Sequence, residues 1–293
     1  MSEMVIQVTS LGKRIKGKTI LEDISFEIKQ GDCVALIGPN GAGKTVLMSC
    51  ILGDKKPSSG QVLIDGKVGK AKNKIAVLLQ ENTIPNSLKV SELIDFFQSI
   101  SDNPVTNQEV QDLLRFKEDQ YQQFADKLSG GQRRLLAFVL CLIDKPKILF
   151  LDEPTAGMDT STRQRFWEIV NDLKKDGTTI LYSSHYIEEV EHTADRILVL
   201  HHGKLIRDTT PYAMRHEEKE KQVTLPSSFV SIVHELPDIY EITEKRDVIS
   251  FMTKDIDKVW QSLEGSGCGI SDIEIQNKTH LDSLFDSTRE DKS

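Results

Sequence analysis

Short apolar runs alternate with longer amphipathic stretches along most of this chain. Cys33–Gly38 (CVALIG), Ile75–Leu79 (IAVLL), Ile148–Asp152 (ILFLD), Thr179–Ser183 and Ile197–Leu200 are nearly continuous in apolar residues. Such runs predict strands buried on both faces, as in a parallel sheet. Ile20–Ile28 (ILEDISFEI) and Gln61–Asp65 alternate instead, which predicts half-buried strands and an added antiparallel layer. Helices are expected to start at Gly43, Val90, Gly130, Thr160 and Tyr186. Strands and helices in alternation make an α/β fold. From about residue 81 to 145 only helical patterns occur, which predicts a helical insertion in the α/β core.

The pattern changes after Pro211. The segment PYAMRHEEKEK, residues 211–221, is polar and charged, as a solvated helix or a linker would be. It divides the chain into residues 1–212 and 213–293. Beyond it, Gln222–Leu225, Ile239–Thr243, Val248–Thr253 and Ile270–Ile275 predict strands. Asp255–Leu263 and Thr279–Phe285 predict helices. This second part is expected to be a small α+β domain, and it carries no chemical motif.

Composition narrows the picture. The 293 residues suit one large domain and one small one, and 38% hydrophobic residues are enough for a core. A net charge of -8 argues against a nucleic-acid binder, which usually carries a basic face. The longest apolar run, Leu135 to Ile143, is about half the roughly 20 residues that a membrane-spanning helix needs. The start, MSEMVIQVTS, lacks the basic and apolar regions of a secretory signal, so none is expected. Cys33, Cys50, Cys141 and Cys268 are scattered without a CxxC pair and read as reduced, packed thiols.

The chemistry begins at Gly38-Pro39-Asn40-Gly41-Ala42-Gly43-Lys44-Thr45, which fits GxxxxGK[ST] between a buried strand and a helix. Glycines let backbone N–H groups curl around phosphate oxygens, and the helix start adds the positive end of its dipole. Lys44 can reach the β- and γ-phosphates, and Thr45 can offer its hydroxyl to Mg²⁺. A chance glycine-rich turn would lack that flanking strand and helix. The run ILFLDE places Asp152 and Glu153 at the tip of a buried strand, where open α/β sheets bind ligands. Asp152 is suited to the Mg²⁺ shell and Glu153 to taking a proton from an attacking water. Adjacent strand residues face opposite ways, which predicts separate tasks for the two acids.

Leu128-Ser129-Gly130-Gly131-Gln132 opens a helix about twenty residues before the acid pair. It resembles the signature motif of the ATP-binding-cassette (ABC) ATPases. A phosphate loop, LSGGQ and an acid-ending strand in that order carry the resemblance over roughly Val5 to Thr210. It implies an ABC core with an antiparallel β subdomain and a helical insertion, and ATP with Mg²⁺ as ligands. It also implies that Gln80 senses Mg²⁺ and the attacking water, that Asp159 communicates across a dimer and that His185 contacts the γ-phosphate. Ser129, Gly130, Gly131 and Gln132 would bind ATP held by the loop of an opposite subunit, so that two ATPs join two chains. Ile15 falls where the family usually carries an aromatic residue that stacks on adenine, which implies looser nucleotide preference.

The resemblance further implies a transport ATPase. Fewer than 50 residues separate Gln80 from Leu128, leaving no room for the long coiled coil of chromosome-maintenance relatives. The expected arrangement is a homodimer on separate polytopic membrane subunits, at the cytoplasmic face of the cell membrane, with no nucleic acid. The end of the chain, ISDIEIQNKTHLDSLFDS, is similar to the tails of bacterial drug-resistance, sodium-export and bacteriocin-immunity ATPases. The stretch 81–97 is expected to meet the membrane partner through Ile84, Pro85 and neighbours, with Leu93 and Phe97 as core. Two other readings remain at this point: a soluble ABC ATPase acting on nucleic acid or ribosomes, and a nucleotide-binding module without turnover.

Overall fold

The computed structural model describes residues 3–68, 75–80, 84–85, 87–217 and 220–277. The chain forms two compact units, residues 1–211 and 212–293. In order, the first contains β1 (Met4–Ile15), β2 (Lys18–Lys29), β3 (Cys33–Ile37), α1 (Lys44–Ile51), β4 (Ser59–Ile64), β5 (Lys67–Val68) and β6 (Ile75–Leu78). The insertion follows, with α2 (Val90–Ser99), α3 (Asn107–Leu114), α4 (Glu118–Tyr121) and α5 (Gly130–Leu142). The core then resumes with β7 (Ile148–Asp152), α6 (Thr160–Lys175), β8 (Thr179–Ser184), α7 (Ile187–Thr193), β9 (Arg196–His201) and β10 (Lys204–Thr209).

Two sheets build this unit. One has the order β2-β1-β4-β5 and is antiparallel. The other has the order β10-β9-β3-β8-β7-β6, with five parallel strands and an antiparallel edge strand, β10. Every residue of β3 and β7 is buried, as their continuous apolar runs require of strands covered on both faces. On one face, α1 contributes Leu47, Met48 and Ile51 to a core shared with Ile6, Ile24 and Phe26 of the antiparallel sheet. On the other, Phe138 of α5 meets Phe166 of α6 with ring centroids 4.4 Å apart, and Trp167 meets Tyr182 of β8 at 5.2 Å.

The pattern of hydrophobic residues does not reveal β1. Its pairing with β2 shifts register four times, so Val5, Ile6, Val8 and Leu11 are buried without a period of two. Ile84, expected on the partner-facing surface, is instead buried at 7% exposure. A lone isoleucine gains about 1.5–3 kcal/mol by leaving water, which favours its turning inward. Leu93 is buried and Phe97 half-buried, while Phe96 (54%) and Ile100 (65%) are open to solvent. Residues 81–83 and 86 of that stretch lie outside the described residues.

The second unit begins within α8 (Pro211–Glu217) and continues through β11 (Lys221–Pro226), α9 (Val230–Val233), β12 (Ile239–Glu244), β13 (Val248–Thr253), α10 (Ile256–Gly265) and β14 (Glu274–Asn277). The sheet is antiparallel, in the order β12-β13-β11-β14. With α9 and α10 between the strand pairs, this is the split β-α-β topology of ferredoxin-like domains. Its core is Val223, Leu225, Ile249, Phe251, Val259 and Leu263. The strand expected at Ile270–Ile275 starts only at Glu274. Ile270–Asp272 is a 3-10 turn, because the Asp272 carboxylate accepts the Gly269 N–H at 2.9 Å and curls the chain. The helix expected at Thr279–Phe285 lies outside the described residues.

Candidate functional site

Residues 38–45 connect the buried end of β3 to α1. Gly43 caps the helix at φ 108°, a left-handed conformation that suits glycine. A Cβ on Gly38 would fall on the Leu200 carbonyl oxygen, so the loop can lie against β9 only with glycine there. The Ala42 N–H donates to the Pro39 carbonyl at 3.1 Å, and the Ala42 carbonyl accepts from Gly203 at 3.0 Å. Asn40 and Gly41 are exposed at the tip. The first turn of α1 leaves N–H groups without intrahelical acceptors beside this tip, which favours an anion.

Lys44 is 5% exposed, and its ammonium donates to the carbonyls of Gly38 (2.6 Å) and Pro39 (3.3 Å). It stands 3.9 Å from the Glu153 carboxylate. Burial lowers the lysine's pKa, and Glu153 and Asp152 oppose that shift by favouring the charge.

Strand order brings β7 to this loop. β3 and β7 both flank β8, with Ile37 beside Ser184 and Asp152 beside Ser183. Thr45 Oγ1 donates to Asp152 Oδ2 at 3.0 Å, and Ser183 Oγ donates to Asp152 Oδ1 at 2.5 Å. Among the described residues no group of three or more His, Cys, Asp and Glu could hold a metal ion. One hydroxyl and one carboxylate are hard oxygen donors filling part of a shell. That fits Mg²⁺, which keeps waters and takes the rest of its ligands from substrate phosphates.

Glu153 does not follow the extended geometry that predicted opposite faces for the two acids. Its φ is 44°, so the chain turns as it leaves β7. Its carboxylate lies on the Lys44 side, 3.0 Å from His185 Nδ1, and its N–H donates to Ser183 Oγ at 2.9 Å. His185 is 38% exposed, stacks on Tyr186 at 4.0 Å and follows directly after β8. The two acids differ because Asp152 is bound by hydroxyls and Glu153 by cationic or titratable groups.

The remaining expected residues fall into other places. Ser129 caps α5, its hydroxyl accepting the Gln132 N–H at 3.1 Å while the Gln132 side chain accepts the Ser129 N–H at 3.2 Å. Asp159 caps α6 through Thr162. A Cβ on Gly131 would lie 3.2 Å from the Asp159 carboxylate, so the two turns pack together, with Ser129 and Gly130 exposed. Among the described residues no hydrogen bond or ion pair joins this pair of turns to residues 38–45 of the same chain. Gln80 is exposed just past β6. Ile15, 37% exposed, stands at the tip of the β1–β2 hairpin, whose Leu21 packs against Gly43.

Sequence reasoning missed three supports. Ser183 binds both acids' segments. Glu189 on α7 accepts from Thr155 Oγ1 (3.0 Å) and Trp167 Nε1 (2.5 Å), tying the helix after His185 to the turn after Glu153. Arg134 is a charge in the otherwise apolar buried face of α5 and reaches the ends of β6 and β7. Its only sequence signal is an arginine among positions otherwise suited to the core.

Known proteins share parts of this sequence and its fold. Residues 21–156 match the family model described as ABC transporter. The Nod factor export ATP-binding protein I of Rhizobium johnstonii is 33% identical over 74% of this chain and 73% of its own length. The probable multidrug ABC transporter ATP-binding protein YbhF of Escherichia coli is 30% identical over 80% of this chain but only 42% of its own length. A solved ATP-binding subunit of an ABC transporter superposes with a TM-score of 0.64 at 25% identity, covering 73% of this chain and 92% of that one. The fold is shared also with the dimeric, post-hydrolysis ATP-binding cassette MJ0796 bound to ADP and Pi (TM-score 0.62, 22% identity, 70% of this chain and 98% of that one). The chain belongs to the ABC transporter family as an ATP-binding subunit that hydrolyses ATP.

Proposed function

We propose that this chain drives a membrane exporter, working as an ATP-sandwich homodimer on separate polytopic subunits at the cytoplasmic face of the membrane. The observation that carries the reading is the division of the site. Lys44, Thr45, Asp152, Glu153 and His185 converge at one loop, while Ser129, Gly130, Gly131, Gln132 and Asp159 form a separate group in which Ser129, Gly130 and Asp159 are exposed. A second copy would bring its own such group to the loop. Residues 38–45 would hold the triphosphate, with Lys44 turning from its carbonyl partners to the β- and γ-phosphates. Thr45 and Asp152, with Gln80, would hold Mg²⁺, which when bound supplies positive charge to the phosphate oxygens. Glu153 takes the proton of the attacking water, and His185 sits against both that carboxylate and the γ-phosphate position.

Export, as opposed to import, is supported by the names of relatives that export Nod factor or act in multidrug transport. A drug, a peptide such as a bacteriocin, or an ion is the proposed cargo class. The exposed Phe96 of α2 and Ile100 just after it support docking of the membrane subunit on the helical insertion. Among the described residues no helix is long and apolar enough to cross a membrane.

The test is to tag Glu153→Gln in its native cell, extract with detergent and Mg-ATP, and identify what co-purifies. A polytopic membrane protein is expected. Ribosomes or nucleic acid without a membrane partner would overturn the transport reading. ATP should dimerise Glu153→Gln but not Ser129→Arg in that background; dimerisation of both would sink the sandwich arrangement.

A further inference from the structure

Arg134 carries a buried charge that the phosphate chemistry does not use. It is 9% exposed, and each of its five N–H groups meets a main-chain carbonyl. Nε donates to Pro154 (3.1 Å), Nη1 to Leu79 (2.5 Å) and Gln80 (3.0 Å), and Nη2 to Asp152 (3.0 Å) and Glu153 (3.3 Å). These carbonyls belong to two turns, one after β6 carrying Gln80 and one after β7 carrying Glu153. Glu153 holds a left-handed φ of 44°, which a non-glycine residue keeps only where its surroundings fix it. Arg134 binds the carbonyls of Glu153 and of both its neighbours. Fold stability alone does not call for this side chain. A buried cation held by neutral groups is costly to desolvate, and apolar replacements of buried charges often pack as stably.

The other end of the linkage is the signature turn. Arg134 sits on the same rigid helix as Ser129–Gln132, and the Arg133 N–H already closes a helical bond to the Ser129 carbonyl at 2.9 Å. We propose that Arg134 is a positioning residue that makes the placement of Glu153 and Gln80 depend on the position of the α5 N-terminus. The inference rests on the sandwich dimer proposed above. In that dimer the α5 N-terminus touches ATP held by the partner, so nucleotide in one site sets the aim of the base in the other. The five hydrogen bonds come from one planar guanidinium, so a shift of the helix acts on both turns.

The experiment uses full-length Arg134→Lys, which keeps a cation with fewer donors, and Arg134→Gln, which does not. Thermal midpoint, ATP affinity, KM and kcat are measured for each, and ATP-driven dimerisation is measured in the Glu153→Gln background. The expected result is ATP affinity and KM within about threefold of wild type, with kcat reduced at least about tenfold and less severely in the lysine variant. Dimerisation should persist. A folded variant with kcat within about twofold of wild type would overturn the proposal, as would a loss of kcat matched by loss of ATP binding. If neither variant folds, hydrogen exchange on the wild-type chain decides. Mg-ATP should slow exchange in the first turns of α5 and in residues 152–156 together, and protection of one without the other would refute the linkage. Failure of Glu153→Gln itself to dimerise with ATP would sink the sandwich reading, independently of what the Arg134 turnover shows.

Discussion

His185 Nδ1 lies 3.0 Å from one carboxylate oxygen of Glu153, while the other oxygen of the same carboxylate is 3.9 Å from the Lys44 ammonium. Two residues from separate segments thus share one acid. Glu153→Gln keeps the volume but lacks the charge that can accept a proton. ATP binding should persist while turnover falls by about 10²–10⁴, the range for loss of a general base. His185→Ala should lower turnover by at least about tenfold, or about 1.4 kcal/mol of barrier, with nucleotide still bound. Single-turnover hydrolysis beside equilibrium ATP binding checks both, and full activity of Glu153→Gln would remove the base assignment.

Lys44→Ala removes the loop's only ammonium. ATP binding should be abolished while the fold survives, because the carbonyls of Gly38 and Pro39 that Lys44 binds can meet water when it is gone. Circular dichroism and a fluorescent-nucleotide titration on the same sample separate the two effects. Undiminished binding would mean that the loop does not hold the triphosphate.

Ile15 offers an aliphatic contact where an aromatic ring would stack on the base. ATP and GTP should therefore bind with similar affinity, and Ile15→Tyr should tighten nucleotide binding, since stacking on an aromatic is worth about 1–3 kcal/mol per base. Competitive titration measures the ratio. Strong ATP selectivity in the wild type would argue against the placement of Ile15 at the base.

Asp159 caps α6, and hydrogen bonds from Ser161 and Thr162 hold its carboxyl well below the usual carboxylate range. A carboxyl depressed in the folded chain adds stability above its unfolded pKa, and that stability is lost as pH falls towards the folded value. The stability difference between wild type and Asp159→Asn should be constant near neutrality and shrink below about pH 4, where unfolded aspartate begins to protonate. Urea midpoints from pH 6 to pH 3 test this. A difference that grows with acid would contradict the assigned cap.

Burial pushes the Cys33 thiol up to about 12 and the Cys141 thiol up to about 11. Since the thiolate is the nucleophile, both should resist iodoacetamide at pH 8 in the native chain and react in urea. Mass spectrometry of the labelled peptides reads the outcome, and rapid native labelling of Cys33 would show that β3 opens readily.

What could be read along the chain was local. The apolar runs of β3 and β7, the glycines of residues 38–45, and the helix starts at Ser129 and Asp159 each rest on residues a few positions apart, so periodicity and hydrogen-bond chemistry within one turn suffice. Even local reading failed where a second strand or a side chain altered the backbone. β1 lost its period through register shifts against β2, and Asp272 curled the chain where a strand was expected. The contacts that make the site chemical belong to another class. Thr45 meets Asp152 across 107 positions, Ser183 holds Asp152 from 31 away, and Arg134 reaches Leu79 over 55. Each depends on β8 lying between β3 and β7, and on α5 lying over the ends of β6 and β7. Many strand orders would bury the same apolar runs equally well. Burial therefore names the strands, and only their packing against one another brings a threonine, two acids, a histidine and an arginine to the same few ångströms.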